Sequence, residues 1–153
     1  MSQNKEAVIT KLASGLIALS AVLCAALGLL HLVYTFHGTN LHPRDAELRS
    51  KMENALPMLT NETTMWKAWI GFNATHSLGL LLFGAIYGYL ALAQRQLFFR
   101  SGFLLVAGFV MLAAYAYVSR HYFFSEPFHM ILLAGILYLT GMVVGLIWTK
   151  FRT

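Results

Sequence analysis

Charged residues are scarce in this sequence. Asp, Glu, Lys and Arg together make up 11% of its 153 residues, less than half the share of about 25% that is typical of soluble domains. The hydrophobic content is 58% and the mean hydropathy is +0.64. Because so few charges cannot cover the surface of a water-soluble domain, the composition predicts an integral membrane protein.

Cysteine is also nearly absent, and Cys24 is the single one. A single cysteine cannot form an intrachain disulfide, a cysteine-based zinc site or an iron–sulfur cluster, so all three are excluded. The sequence has no P-loop, G-x-S-x-G or H-E-x-x-H motif, and its long apolar runs hold no acidic residue to pair with a histidine in catalysis. No motif of interleaved basic and aromatic residues points to nucleic acid. These absences favour a non-enzymatic protein but leave catalysis an open question.

Four apolar segments are long enough to cross a bilayer, which takes about 20 helical residues. They cover residues 12–36, 67–93, 102–122 and 127–149. Each must be helical, because backbone amides cannot be left unpaired in lipid. The short links at 94–101 and 123–126 make neighbouring spans antiparallel. The prediction is an all-α, integral membrane four-helix bundle forming a single domain over residues 1–153.

The charges that flank the spans predict the orientation. The side that carries both termini has six basic residues and one acidic residue, whereas the other side has five of each. Because basic residues collect on the cytoplasmic side, we expect both termini in the cytoplasm. The basic side then faces anionic membrane lipids, which are the expected partners.

The outer loop, residues 37–66, contains signals for a short helix. Pro43 and Asp45 give a helix start and Pro57 gives a stop. Between them, apolar residues recur on one face: Leu48, Met52, Ala55 and Leu56. This pattern predicts a short amphipathic helix that lies on the membrane or covers the bundle.

Three of the spans carry stripes of small residues, which membrane helices use to approach each other closely. The first stripe contains Ser14, Ala18, Ala21, Ala25, Gly28, His31 and Thr35; the second contains Asn73, Ser77, Leu80, Gly84 and Gly88, with His76 beside Asn73; the third contains Ala134, Tyr138, Gly141, Gly145 and Trp148. We therefore expect the polar groups on these stripes to face inward. The glycine pairs predict tight packing within one subunit or, alternatively, a homodimer contact.

All six histidines fall in the outer half of this topology: His31, His37, His42, His76, His121 and His129. Inside the spans, His31 lies roughly 8 Å and His76 roughly 14 Å below the outer end, at 1.5 Å per residue. Ionisable residues inside a membrane are candidates for function. One interpretation is that the polar groups only hold helices together by hydrogen bonds. The other is an outward-facing pocket.

The leading hypothesis is a non-enzymatic binding or accessory protein with a pocket for a lipid-like or quinone-like molecule. The residues predicted to line that pocket are Asn73, His76, Ser77, His31 and Thr35. An alternative is a redox subunit that binds haem between His31 and His76, or copper or zinc on three or more histidines. The metal candidates are His31, His76, His121 and His129. A further alternative is a structural subunit of a larger membrane complex.

The run MWKAWIGFNATHSLGLLLFGAIYGYLA, residues 65–91, contains the element W-x-G-F-N-x-x-H-S from Trp69 to Ser77. With the link YFFSEPF at 122–128 and the last span, it resembles a family of small, uncharacterised bacterial four-span membrane proteins. The likeness covers about two thirds of the chain. The resemblance implies a four-span architecture and a bacterial inner membrane. It brings no activity, cofactor or functional residue with it.

Overall fold

Over residues 3–150, the protein is built from six helices joined by short links and one long loop. The computed structural model describes residues 3–150, and the side chains of residues 8–147. The helices are α1 (Gln3–Phe36), α2 (Ala46–Asn54), α3 (Met65–Ala93), α4 (Arg95–Arg100), α5 (Gly102–Tyr122) and α6 (Ser125–Lys150). Residues 3–150 contain no β-strand, so the predicted all-α class is confirmed. The side chain of Trp148, the last member of the third predicted stripe, lies outside the described residues.

Four of these helices are long and apolar enough to cross a membrane. The qualifying segments are Val8–Phe36, Met65–Ala93, Gly102–Tyr122 and Ser125–Ile147. Their outward faces carry exposed leucine, valine and phenylalanine side chains, including Val22, Leu82 and Phe103. In water such a surface would be unstable, whereas acyl chains cover it without cost. The protein is a multi-pass membrane protein, as the composition predicted.

The chain divides into two compact units. One, here called the bundle unit, is formed by the described residues of Met1–Ala26 and Leu82–Thr153. The other, the loop unit, is Leu27–Leu81. The helices α1 and α3 each contribute residues to both units. Parts of all four long helices are therefore present in the bundle unit, and the loop unit consists of the long loop and the two helix segments that it joins.

Buried residues in α5 and α6 of the bundle unit recur at intervals of three, four or seven. In α6 they are Ile131, Ala134, Tyr138, Gly141 and Gly145, and in α5 they are Leu105, Gly108, Leu112 and Ser119. This repeat of about 3.5 residues is the one that keeps a seam facing its neighbour when helices pack side by side. The bundle is therefore specified by a narrow stripe on each helix.

Glycines on these stripes bring helix backbones into contact. A Cβ atom added at Gly84 would lie 2.7 Å from the carbonyl oxygen of Ala21, and one added at Gly141 would lie 2.7 Å from that of Ala13. No larger side chain fits there without moving a backbone. The small-residue stripes thus pack helices within one subunit, as the sequence analysis predicted for them.

Aromatic rings fill the space beside the glycines. The Tyr138 hydroxyl is fully buried and donates a hydrogen bond to the carbonyl of Leu105 at 3.0 Å. It lies against Gly108, where an added Cβ would collide with it. The rings of Phe83 and Tyr87 stack at 4.4 Å, and Tyr87 meets Tyr138 edge to face at 5.7 Å. The hydroxyl of a buried tyrosine therefore finds its partner in a neighbouring helix backbone.

The link between α3 and α5 was predicted as a plain connection, and the structure corrects this. It forms the short helix α4, which buries Phe98 and Phe99. The ring of Phe99 occupies the position that a side chain at residue 145 would take, since a Cβ at Gly145 would lie 2.2 Å from its Cε1 atom. Gly145, the last small residue of the α6 stripe, therefore leaves room for the ring of Phe99, which comes from the link between α3 and α5.

The predicted amphipathic helix of the loop is present as α2. The Asp45 carboxylate accepts a hydrogen bond from the backbone N–H of Glu47 at 2.9 Å and caps its start. None of its nine residues is buried. After α2, the backbone N–H of Met65 donates to the carbonyl of Ala55 at 2.9 Å, closing a loop whose tip residues Met58 and Leu59 are fully exposed.

Candidate functional site

The central contact of the loop unit joins α1 to α3 through two polar side chains. The Nε2 atom of His31 lies 3.0 Å from Oδ1 of Asn73. Asn73 is only 5% exposed, and its Nδ2 group donates to the carbonyl of Trp69 at 2.8 Å. Because the amide nitrogen is used there, Oδ1 is the acceptor and His31 donates from Nε2. In the neutral imidazole this leaves Nδ1 of His31 as a hydrogen-bond acceptor.

His76 joins the same cluster. Its ring centroid lies 5.3 Å from that of His31, with the rings at 70° to each other. The difference in depth between His31 and His76, about 6 Å as estimated from helix rise, does not keep the two rings apart. A close approach one turn below explains this, because Gly28 lies against the backbone of Ser77, whose oxygen is 2.8 Å from the Cβ position. The polar cluster of His31, Asn73 and His76 is thus one local assembly.

The two predicted hydroxyl groups bond within their own helices. Ser77 Oγ donates to the carbonyl of Asn73 at 2.9 Å, and Thr35 Oγ1 donates to the carbonyl of His31 at 2.8 Å. Both residues are buried. A hydroxyl that donates to the fourth residue before it still has lone pairs to accept a hydrogen bond. The structure therefore places Ser77 and Thr35 next to the polar cluster, each attached to a member of it.

The loop is fastened to α3 by the first residue of the W-x-G-F-N-x-x-H-S element. The indole N–H of Trp69 donates to the carbonyl of Leu41 at 3.0 Å. The carbonyl of the same residue accepts from Asn73. The element is therefore a contact network in which Trp69 ties down the loop, Asn73 bridges to α1 and His76 presents a second imidazole.

A second cluster organises the loop and was not found from the sequence. Arg49 of α2 lies over the ring of Trp66 at 4.6 Å and hydrogen-bonds to Nδ1 of His42. The rings of His42 and Trp66 meet edge to face at 5.0 Å, and Arg49 pairs with Glu53 at 3.0 Å. The spacing of Arg49 and Glu53 was a readable signal of a helical ion pair. The contact with Trp66 was not readable, because it depends on how the loop folds back.

The two remaining metal candidates belong to the bundle unit and are held differently. Nδ1 of His121 lies 2.8 Å from the carbonyl of Tyr117, in its own helix, and His129 contacts the ring of Phe128. Among the described residues, no three His, Cys, Asp or Glu side chains come together in a group suited to a metal ion. The structure thus brings His31 and His76 together, and it gives His121 and His129 other partners.

A cleft lies in the bundle unit where α5 ends and α6 begins. Its volume is about 350 Å³, and it is lined by Ser119, Arg120, Phe123, Phe124, Ser125, Phe128 and His129. Sequence analysis missed this cleft. The signal available was the pairing of Ser119-Arg120-His121 at the end of one span with Ser125 and His129 at the start of the next.

Comparisons with known protein families, with curated proteins and with solved structures find no match to this chain. The resemblance to a four-span bacterial family stays a prediction. Interpretation of the site rests on its own residues.

Proposed function

We propose that this multi-pass protein binds a lipid-like or quinone-like molecule, without catalysing a reaction, at the polar cluster of the loop unit. In this proposal it resides in a bacterial inner membrane with both termini in the cytoplasm. His31, Asn73 and His76 supply the polar contacts, and Ser77 and Thr35 border them.

The observation that carries the proposal is the meeting of two imidazoles beside a buried amide within the membrane-spanning segments. One bond between His31 and Asn73 is enough to hold two helices together, and such bonds contribute about 0.6–2 kcal/mol. The second imidazole, that of His76, lies 5.3 Å from the His31 ring and is not a member of that bond. Its presence favours a role in recognition.

The chemistry of the cluster suits a small molecule with both hydrogen-bond donors and acceptors. Neutral His31 offers Nδ1 as an acceptor while its Nε2 is used by Asn73. Each neutral imidazole has one donor and one acceptor. A quinone carbonyl, a quinol hydroxyl or a lipid glycerol group can pair with such a site, and the apolar faces of the helices accommodate its hydrocarbon part.

The test compares molecules retained by the gently solubilised protein, identified by native mass spectrometry. The double variant His76→Leu, Asn73→Ala should lose the retained quinone or lipid and keep its helical content. The variant His121→Leu removes a histidine from the bundle unit and should retain the molecule. Equal retention in all three proteins would reject the proposal.

A metal- or haem-binding redox subunit is the second candidate, and the paired imidazoles are the observation that favours it. Two histidines can each give a nitrogen to one metal ion. The expected result is then a coloured protein, or one with stoichiometric copper, zinc or iron that is lost in His76→Leu. A colourless, metal-free protein that keeps a lipid or quinone favours the first candidate. Co-purification of another protein with neither ligand would favour the structural-subunit alternative.

A further inference from the structure

We propose that the cleft between α5 and α6 is a separate binding site for a phosphate group, and that its natural ligand is the headgroup of an anionic phospholipid. This proposal is independent of the one made for the loop unit. It rests on the polar groups that line the cleft, on its position at the end of two spans, and on its size.

The polar lining consists mainly of hydrogen-bond donors. Arg120 and His129 line the cleft together with the hydroxyl groups of Ser119 and Ser125. A guanidinium has no acceptor and matches the geometry of phosphate oxygens. No carboxylate lines the cleft. The lining therefore suits an anion and disfavours a cation.

Ser119 gives an independent indication of a ligand. This residue is only 3% exposed, yet it lines the cleft. Among the described residues, the hydroxyls of Thr75, Ser77 and Thr140 donate to the preceding turn of their own helices, and the Ser119 hydroxyl makes no such bond. A buried hydroxyl that lines a cleft beside an arginine is available to an oxygen-rich ligand.

The position of Arg120 is fixed by an aromatic neighbour. Its Cζ atom lies 5.9 Å from the centre of the Phe128 ring, which also lines the cleft. This cation–π contact holds the guanidinium at the cleft. The first turn of α6 starts at Ser125, so the positive end of the helix dipole also lies at the edge of the cleft.

The surroundings of the cleft suit a lipid. One span ends at Tyr122 and the next begins at Ser125, so the cleft lies at the membrane boundary where phospholipid headgroups reside. Phe123, Phe124 and Phe128 form its apolar wall. A volume of about 350 Å³ lies within the range of small-ligand sites. It is large enough for a phosphate with its glycerol.

One acidic residue opposes anion binding and makes the proposal testable in two directions. Glu126 follows Ser125 in α6, and its Oε2 accepts a hydrogen bond from the Ser125 hydroxyl at 3.3 Å. Its charge lies near the cleft and lowers the affinity for an anion. Removing it should strengthen binding, whereas removing the charge of Arg120 should weaken binding.

The experiment titrates the delipidated full chain with phosphatidylglycerol and with diacylglycerol of the same acyl chains, followed by native mass spectrometry. The unaltered protein should bind phosphatidylglycerol at least tenfold more tightly than diacylglycerol. Arg120→Gln should lose about tenfold in affinity for phosphatidylglycerol. Glu126→Gln should gain severalfold. Arg100→Gln is the matched control, because Arg100 is an exposed arginine at the end of α4, and it should bind like the unaltered protein.

Inorganic phosphate, added as a competitor, distinguishes the two sources of the phosphate group. Failure to displace phosphatidylglycerol supports the lipid as ligand, and displacement at millimolar concentration supports a free phosphate compound.

Equal loss in Arg120→Gln and Arg100→Gln, or equal affinity for diacylglycerol, would overturn the proposal. Arg120→Lys keeps the charge and should bind at an intermediate level, which separates loss of the contact from loss of the fold. The double variant at His76 and Asn73 leaves the cleft unchanged, so it should bind phosphatidylglycerol at the cleft with unaltered affinity even when it has lost the molecule held in the loop unit.

Discussion

Each of the two units of this protein is held together internally by its own kind of contact. In the bundle unit, helix backbones touch at Gly84 and Gly141, and aromatic rings fill the remaining space. In the loop unit, polar side chains and ring edges make the contacts that join His31 to Asn73 and Trp69 to Leu41. Inside the membrane, small residues allow close packing, and no hydrophobic force between helices is available. The polar contacts of the loop unit lie at the loop and in the parts of the two spans that it joins.

This difference separates the part of the chain that is specified by close packing from the part in which we propose recognition. Few changes are tolerated where a backbone lies against a backbone. A polar cluster contributes less free energy to folding than such packing, which is in keeping with the role in recognition that we propose for it. Three substitutions should distinguish the two units by their effect on the free energy of unfolding, from the largest expected effect to the smallest.

The largest effect is expected for Gly84→Ala in the bundle unit. The added Cβ would lie 2.7 Å from both the Ala21 carbonyl oxygen and the Ala25 Cβ, so α1 and α3 must move apart. The free energy of unfolding should fall by about 1–3 kcal/mol, as for other overpacked cores. The measurement is thermal or denaturant unfolding in detergent. Gly135→Ala is the control and should be neutral, because an added Cβ there meets no described atom within 4 Å. Similar losses in both variants would contradict the packing argument.

A smaller effect is expected for Tyr138→Phe. The change keeps the ring and removes the hydroxyl that donates to the Leu105 carbonyl at 3.0 Å. The free energy of unfolding should fall by about 1 kcal/mol, the usual size of one hydrogen bond between membrane helices. Tyr117→Phe serves for comparison, since Tyr117 is exposed, and it should unfold like the unaltered protein. An unchanged stability for Tyr138→Phe would mean that the hydroxyl is not needed in the bundle.

The smallest effect on global stability is expected for Trp69→Phe in the loop unit. This variant keeps an aromatic ring and loses the indole N–H that holds the Leu41 carbonyl. The unfolding free energy should change by less than about 0.5 kcal/mol, while the loop opens more often. Limited proteolysis within residues 37–64 should therefore become severalfold faster. A protease-resistant loop in this variant would show that other contacts, such as Arg49 with Trp66, are sufficient.

Much of the fold was readable from the sequence because small residues recur with a helical period. The stripes that contain Ala21, Gly84 and Gly141 are the faces that pack. The loop helix was also readable, since Asp45 caps its start and Pro57 follows three residues after its last residue, Asn54. Periodicity shows which face of a helix is buried, and caps show where a helix ends. Both signals are local in the chain.

What could not be predicted depends on contacts between segments distant in sequence. The helix α4 was missed because its contact with α6, in which the ring of Phe99 fills the space at Gly145, joins segments that are distant in sequence. For the candidate site, the prediction that His31, Asn73 and His76 lie together agrees with the observed contacts. The roles of Ser77 and Thr35 as ligands stay predictions. The cleft beside Arg120 was missed because its walls come from a helix end and a link whose path no periodicity describes.

The backbone bond between Ala55 and Met65 has a practical consequence. It clamps the base of a loop whose tip, at Met58 and Leu59, projects fully into the surroundings. Extra residues placed at such a tip cost little, because the entropy of closing a longer loop rises only slowly with its length. A short epitope inserted between Met58 and Leu59 would leave the helices in place. Labelling spheroplasts, whose inner membrane is open to the medium, with an impermeant antibody would then reveal on which side of the membrane this loop resides.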